Sequence, residues 1–251
     1  MLNFSVVIPA YNEADRITTS LTHVVGFMRN FNGDFEVIVV DDGSADETAE
    51  KVKEYAKSNP EVKLIKNEHR GKGFTVRTGV LAAEGEYIYI ADADMAAPIE
   101  EIKKFVVWVR DNDFDVAIGS REGVGAERKS EPFYRHLMGR GFNFLVQLFA
   151  LPGIQDSQCG FKMFKADVAR DIFNRLRIYG DQAEKTDKAF LGAFDVEVLY
   201  LAKKLGYRIK SIPLVWTYVP TTRLNIVADS YKMARDVIRI RLNDLRGLYN
   251  S

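Results

Sequence analysis

The chain has 251 residues, 47% of them hydrophobic, with 35 basic and 35 acidic side chains. That length buries a large core and suits one α/β domain with an appendage. The balanced charge argues against a nucleic-acid partner, and the single cysteine, Cys159, excludes an internal disulfide framework and suits a reducing compartment.

The start has no basic region before its apolar run, which Pro9 interrupts, so no secretory leader is expected. The longest uncharged run, residues 141–154, is too short for a spanning helix. A cytoplasmic protein follows, soluble or peripheral on a membrane. The first half then alternates apolar strands and helices. Strands are predicted over residues 4–9, 35–40, 62–66, 87–91 and 115–119, and helices over 12–31, 45–58, 72–83 and 98–110, the last opened by Pro98. Continuous apolar strands separated by helices predict a mostly parallel sheet covered by helices on both faces. In such sheets ligands bind beyond the carboxyl ends of the strands. Polar clusters gather there: Tyr11, Asn12 and Glu13 after the first strand, Asp41 and Asp42 after the second, Asp92 and Asp94 after the fourth, Ser120 and Arg121 after the fifth.

The central stretch is YIYIADADM, residues 87–95. Its strand runs into Asp92-Ala93-Asp94, and residues two apart on a strand share a side. Both carboxylates can therefore reach one hard cation, Mg²⁺ or Mn²⁺, leaving room for substrate phosphate oxygens. The plainer alternative is a loop whose acids cap the next helix. No P-loop motif occurs, and Gly71-Lys72-Gly73 lacks the third glycine of a dinucleotide fingerprint. A metal with nearby acids suits a nucleoside diphosphate.

The segments VVIPAYNE, VVDDGS, GKG, DAD and IGSR together resemble inverting glycosyltransferases of family 2, with the GT-A (Rossmann-like) fold. Asp156-Ser-Gln-Cys-Gly-Phe-Lys162, Phe194-Asp-Val-Glu197 and Val215-Trp216 before Arg223 look like polyprenyl-phosphate (dolichyl-phosphate) β-glucosyltransferases, relatives of dolichyl-phosphate mannose synthases. The likeness runs from Phe4 to Arg241. It implies nucleotide-sugar contacts at Pro9, Ala10, Tyr11, Glu13, Asp42, Lys72, Asp92 and Ala93, and a metal on Asp92 and Asp94. It further implies acceptor-phosphate contacts at Arg121, Arg135, Lys162 and Arg223, with Asp94, Asp156, Asp195 and Arg121 in catalysis. Met95-Ala96 replaces the glutamine that the mannose synthases carry two residues after the second aspartate, which favours UDP-glucose over GDP-mannose as donor.

The implied reaction moves glucose to a polyprenyl phosphate, a nucleophile that needs little general-base help. Either Asp156 or Asp195 could orient the acceptor or take a proton. For Asp195 a helix N-cap is the competing role, and for Arg135 and Lys162 an ordinary surface charge. A non-catalytic nucleotide-sugar-binding or membrane scaffold subunit is the alternative of another class. His23, His69 and His136 lack ligand spacing and read as surface or packing residues. Cys159 reads as a small core residue rather than a nucleophile.

The layout is a glycosyltransferase domain over residues 1–222 and a C-terminal amphipathic helix over 223–251. Within the domain, the nucleotide-sugar part covers about 1–120 and the acceptor part about 121–222. That helix places Val227, Tyr231, Ala234, Ile238, Leu242, Leu245 and Tyr249 on one face, flanked by Lys232, Arg235, Arg239 and Arg246. With the aromatic stretch 132–151, this predicts a protein lying on the cytosolic face of a membrane. The competing arrangement is a helix docked on the domain with a solvated basic face.

Overall fold

The computed structural model describes residues 3–31, 33–183, 185, 192–220 and 226–250, without the side chains of 134, 135 and 226–229. Nine strands are described: β1 (Phe4–Ala10), β2 (Phe35–Asp41), β3 (Val62–Lys66), β4 (Tyr87–Ile90), β5 (Val116–Ser120), β6 (Glu127–Lys129), β7 (Lys162–Lys165), β8 (Ile209–Pro213) and β9 (Val215–Thr217). The helices are α1 (Ile17–Met28), α2 (Thr48–Lys57), α3 (Lys72–Ala82), α4 (Ile102–Val106), α5 (Phe133–Phe149), α6 (Ala166–Asn174), α7 (Phe194–Lys204) and α8 (Ile226–Leu245). Seven strands form one sheet in the order β3-β2-β1-β4-β7-β5-β8, while β6 and β9 pair separately. All neighbours in the large sheet run parallel except β7, which is antiparallel to both β4 and β5.

The strands are apolar on both faces because both faces are covered. Val7, Ile38, Val40, Ile88 and Ile90 join one core with α3, α6, α7 and α8. Val6, Ile8, Val37, Val39 and Tyr89 join another with α1 and α4. Each such buried side chain contributes about 1.5–3 kcal/mol of hydrophobic stabilisation. Strand β7, which follows residue 160 in the chain, lies in the middle of the sheet.

Helix starts differ from the predicted ones for a local reason. The N–H groups of Asn12, Glu13 and Ala14 donate to Ser44 Oγ (2.8 Å), Thr48 Oγ1 (2.7 Å) and Asp46 Oδ2 (3.0 Å). Asn12 Oδ1 in turn accepts from Ala45 N at 2.8 Å. These bonds sew the loops after β1 and β2 together, and α1 begins only at Ile17. The segment predicted as one helix over 98–110 opens with a 3-10 turn, Ile99–Glu101, and closes with a π turn, Val107–Asp111.

The C-terminal helix shows two apolar arcs rather than one. Met233, Val237 and Ile240 are buried against the domain, as is Tyr249 beyond the helix end. Of the predicted face, Tyr231, Ile238, Leu242 and Leu245 stay exposed, by 73%, 54%, 43% and 76%. Helix α5 packs beside α8 and presents Phe133, Leu137, Phe144 and Leu148 to solvent as well. Val227 and the start of the predicted helix at 223 lie outside the described residues and side chains. Among the described residues no helix is long and apolar enough to cross a membrane.

Candidate active site

A cavity of about 320 Å³ opens at the carboxyl edge of the sheet. Its walls come from strand ends that the parallel register sets side by side: Ala10 pairs with Asp41, and Val7 with Ile90. Pro9, Ala10, Tyr11, Glu13 and Asp42 line one end. Lys72, Asp92, Ala93, Asp94 and Arg121 line the rest.

At the first end, Tyr11 and His69 stack face to face, with ring centroids 4.1 Å apart and planes 3° from parallel. His69 Nδ1 lies 2.7 Å from Asp42 Oδ2. A carboxylate only accepts, so Nδ1 carries the hydrogen. Asp42 also accepts from the backbone N–H groups of Arg70 and Gly71, each at 3.0 Å. The buried carboxylate of Asp42 thus fixes the loop that leads into α3. His69 is a wall of the cavity, which sequence spacing does not reveal, because its partner Tyr11 is distant in the chain. Arg16 and Tyr218 also line the cavity and carry no sequence motif of their own, and Trp216, from the Val215-Trp216 segment, lines it too.

At the centre, β4 ends at Ile90, so Asp92 and Asp94 stand on a turn rather than on the strand. Met95 N donates to Asp92 O at 3.1 Å, and Met95 takes a left-handed φ of 48°. Asp94 Oδ1 accepts from Ala96 N at 3.0 Å. Asp92 is ion-paired with Lys72, the first residue of α3. The residue before it, Gly71, has φ 85°, a conformation that glycine adopts at little cost. The backbone presses close on the other side: a Cβ placed at Gly160 would lie 2.1 Å from Asp92 Oδ2.

Burial, and then the neighbouring charge of Asp92, push the carboxyl of Asp94 up to about 6. Burial alone would depress Lys72, but Asp92 and Asp195 raise it above the ordinary lysine value, so it stays charged. Two crowded carboxylates, with Asp94 desolvated, favour a cation between them. Among the described residues no group of three or more His, Cys, Asp or Glu side chains could hold a metal by itself. A two-carboxylate site completed by phosphate oxygens fits Mg²⁺ or Mn²⁺ and does not fit zinc.

Among the described residues, the basic side chains expected to meet the acceptor, Arg121 and Lys162, are both paired with carboxylates. Arg121 forks onto Asp156, Nε to Oδ2 and Nη2 to Oδ1, both at 2.8 Å, and its backbone N–H adds a third bond at 2.8 Å. Its guanidinium also stands 5.3 Å from the centre of the Trp216 ring. Burial works to raise Asp156, but Arg121 outweighs it and holds the carboxyl down at about 2. Asp156 lies outside the cavity lining and orients Arg121.

Lys162, expected as a phosphate contact or a surface charge, is neither exposed nor in the cavity wall. Its side chain is buried and bonded to Asp195 and to the Cys159 carbonyl. Asp195 is the second residue of α7, not its N-cap, and burial raises its carboxyl despite Lys162 and Lys72. The Cys159 thiol is pushed up to about 11 by burial, which agrees with a packing residue. Arg223 and the side chain of Arg135 lie outside the described residues.

Residues 5–173 match the sequence profile of Glycosyl transferase family 2. The chain is 34% identical over 261 residues to a dolichyl-phosphate β-glucosyltransferase of Dictyostelium discoideum, covering 98% of this chain and 76% of that one. It is 36% identical over 264 residues to the Saccharomyces cerevisiae enzyme of the same name, again covering 98% and 76%. Among solved structures, a mannosyltransferase from Pyrobaculum calidifontis in complex with GDP-Man and Mn²⁺ superposes with a TM-score of 0.61 at 21% identity. That match covers 98% of this chain but spans only 64% of the other. Glucosyl-3-phosphoglycerate synthase from Mycobacterium tuberculosis, in complex with Mn²⁺, UDP-glucose and phosphoglyceric acid, gives a TM-score of 0.61 at 16% identity, covering 96% and 79%. With its GT-A fold and these relatives, the chain belongs to glycosyl transferase family 2 and is a glycosyltransferase.

Proposed function

We propose that this chain transfers glucose from UDP-glucose to a polyprenyl (dolichyl) phosphate with inversion at the sugar, using Mg²⁺ or Mn²⁺. The observation that carries the reading is the pair Asp92 and Asp94 beside Lys72 in the cavity, with Arg121 lining the same space. The near full-length likeness to dolichyl-phosphate β-glucosyltransferases supports the donor sugar and the acceptor.

Pro9, Ala10, Tyr11, Glu13 and Asp42 form the nucleoside end, and we add His69 to them. Asp92 and Asp94 would hold the cation, which when bound supplies Lewis acidity toward the departing diphosphate. An acceptor phosphate oxygen attacks the anomeric carbon as the bond from that carbon to the UDP oxygen breaks. Lys72 stabilises negative charge on the diphosphate. Arg121, set by Asp156 against Trp216, faces the acceptor phosphate with the Nη1 edge of its guanidinium, the edge that Asp156 does not take. An acceptor dianion needs no base, and Asp156 and Asp195 act through the cations that they hold. Residues 1–120 and 121–222 would then serve donor and acceptor.

The exposed arcs of α5 and α8, flanked by Lys232, Arg235, Arg239 and Arg246, support seating on the cytosolic face of an anionic membrane. There the prenyl tail stays in the bilayer while its phosphate reaches the cavity.

Thermal-shift binding of UDP, GDP, UDP-glucose and GDP-mannose, with and without Mn²⁺, tests the donor. A ligand that binds only the native state raises the melting temperature. We expect a metal-dependent shift that prefers UDP-glucose, followed by glucosyl transfer to polyprenyl phosphate on anionic vesicles. A preference for GDP-mannose moves the chain to the mannosyl branch. No shift with any of the four ligands favours a scaffold subunit.

A further inference from the structure

Between α8 and the cavity lies a buried tyrosine that the reaction as described does not use. Tyr179 is 8% exposed. Its hydroxyl donates to Asp236 Oδ2 on α8 at 2.6 Å and accepts from Ala193 N, just before α7, at 2.6 Å. A phenol hydroxyl has one hydrogen to give, and here both roles are filled. Tyr179 N donates to Glu197 Oε2 at 3.1 Å, and Glu197 also takes the N–H groups of Arg177 and Ile178 and the Tyr249 hydroxyl. The segment carrying Tyr179 is therefore clamped from both ends.

The ring occupies a hollow that only glycines leave open. A Cβ on Gly73 would lie 2.7 Å from Tyr179 Cδ1 and 2.6 Å from Phe194 Cβ. A Cβ on Gly192 would lie 2.5 Å from the Tyr179 hydroxyl oxygen. The ring also meets the Phe194 ring edge to face, with centroids 6.3 Å apart. Gly73 follows Lys72 and Phe194 precedes Asp195, so one side chain touches the neighbours of two site residues on different helices. On the far side, Asp236 is flanked by Arg235 at 3.5 Å and Arg239 at 3.6 Å.

We propose that Tyr179 is a positioning residue: its hydroxyl ties α8 to the start of α7, and its ring sets the spacing between Lys72 on α3 and Asp195 on α7. The catalytic consequence rests on the function proposed above, whereas the structural linkage does not. The two are tested by separate readouts.

The first readout is hydrogen exchange on the full chain. Tyr179→Phe keeps the ring in its glycine hollow and removes both hydroxyl bonds. Exchange at 192–198 should rise at least about tenfold, the scale of one lost buried hydrogen bond, with β1, β2 and β3 unchanged. Asp236→Ala, which leaves the bond from Ala193 N in place, should raise it in the same direction but less, and Asp236→Asn, which keeps an acceptor oxygen, should hold protection within about threefold of wild type. Unchanged exchange at 192–198, or a uniform rise along the whole chain, overturns the proposal. The second readout is turnover of UDP-glucose with polyprenyl phosphate. Tyr179→Phe should lower kcat about tenfold with the UDP-glucose KM held within about twofold, whereas Tyr179→Leu, which empties the hollow beside Gly73, should also raise that KM. A Tyr179→Phe kcat equal to the wild type in an active enzyme overturns the positioning role. A wild type inactive on this pair counts against the substrate reading alone, and exchange at 192–198 then decides the proposal.

Discussion

The carboxylate end of the cavity and the charge pairs around and behind Arg121 are built by opposite means. Around Asp42 and Asp94, carboxylates sit in turns that follow directly from parallel strands, and backbone N–H groups hold them: Asp42 by Arg70 and Gly71, Asp94 by Ala96. Around Arg121 and in the core behind it, charges are held by other charges: Arg121 by Asp156, Lys162 by Asp195, Arg128 by Glu122 and Glu131. A backbone bond survives most side-chain changes nearby, but an ion pair loses its compensation when either member goes. The region around Asp42 and Asp94 should thus lose function without losing the fold, and the charge pairs around Arg121 and Lys162 should lose both.

The sharpest contrast comes from one substitution on each side. Asp94→Ala should abolish turnover, a loss on the order of 10³-fold or more, since a bound cation is worth several kcal/mol to the departing charge. Its urea midpoint should stay close to wild type and its metal-dependent thermal shift should vanish. Activity kept by that variant would falsify the metal role. Lys162→Met should instead cost about 3–5 kcal/mol of stability by leaving Asp195 buried and uncompensated, read by urea unfolding. A midpoint unchanged in Lys162→Met would remove the contrast.

A smaller effect concerns acid. The folded-state carboxyl of Asp156 is depressed to about 2, whereas an unfolded aspartate titrates near 4. A depressed carboxyl contributes stability that is fully present above its unfolded value. That stability, about 2 kcal/mol, is lost as pH falls from about 4 through about 2. Asp156→Asn should flatten this acid limb, and a limb identical in wild type and variant would show that Arg121 does not hold the carboxylate. The mildest change is His69→Ala, which removes the partner of Tyr11 and one hold on Asp42. UDP affinity by calorimetry should fall about tenfold, the scale of one lost aromatic contact and hydrogen bond. The melting temperature without ligand should barely move.

The same contrast accounts for what could be read from the chain beforehand. Strands β1, β2, β4 and β5 were legible because buried parallel strands are continuous apolar runs, and polar residues just after them mark the ligand edge. Lys162 was not, since nothing local shows that Asp195, on another element, stands beside it in the core. His69 was hidden for the same reason, its meaning resting on Tyr11. In α8 the periodicity picks out Tyr231, Ile238, Leu242 and Leu245, which stay exposed, but it misses the inner arc that docks and puts the buried Tyr249 on the outer face. Met233, Val237 and Ile240 lie on the inner arc, while Tyr231, Ile238 and Leu245 remain outside. The late start of α1 arises from loop-to-loop bonds made by Asn12, Glu13 and Ala14, which no local propensity encodes.

The antiparallel strand β7 has a consequence for how the molecule can be divided. Strand β5 is held in the sheet by β7 and β8, both contributed from beyond residue 160. A fragment ending near residue 120 would keep β1 to β4 but expose the open edge of β4 and leave β5 without either neighbour. Such a fragment would be a template for edge-to-edge association rather than a nucleotide-binding module. Limited proteolysis or gene splitting at that point should therefore yield insoluble halves, and complementation from two separately expressed pieces should require that they fold together.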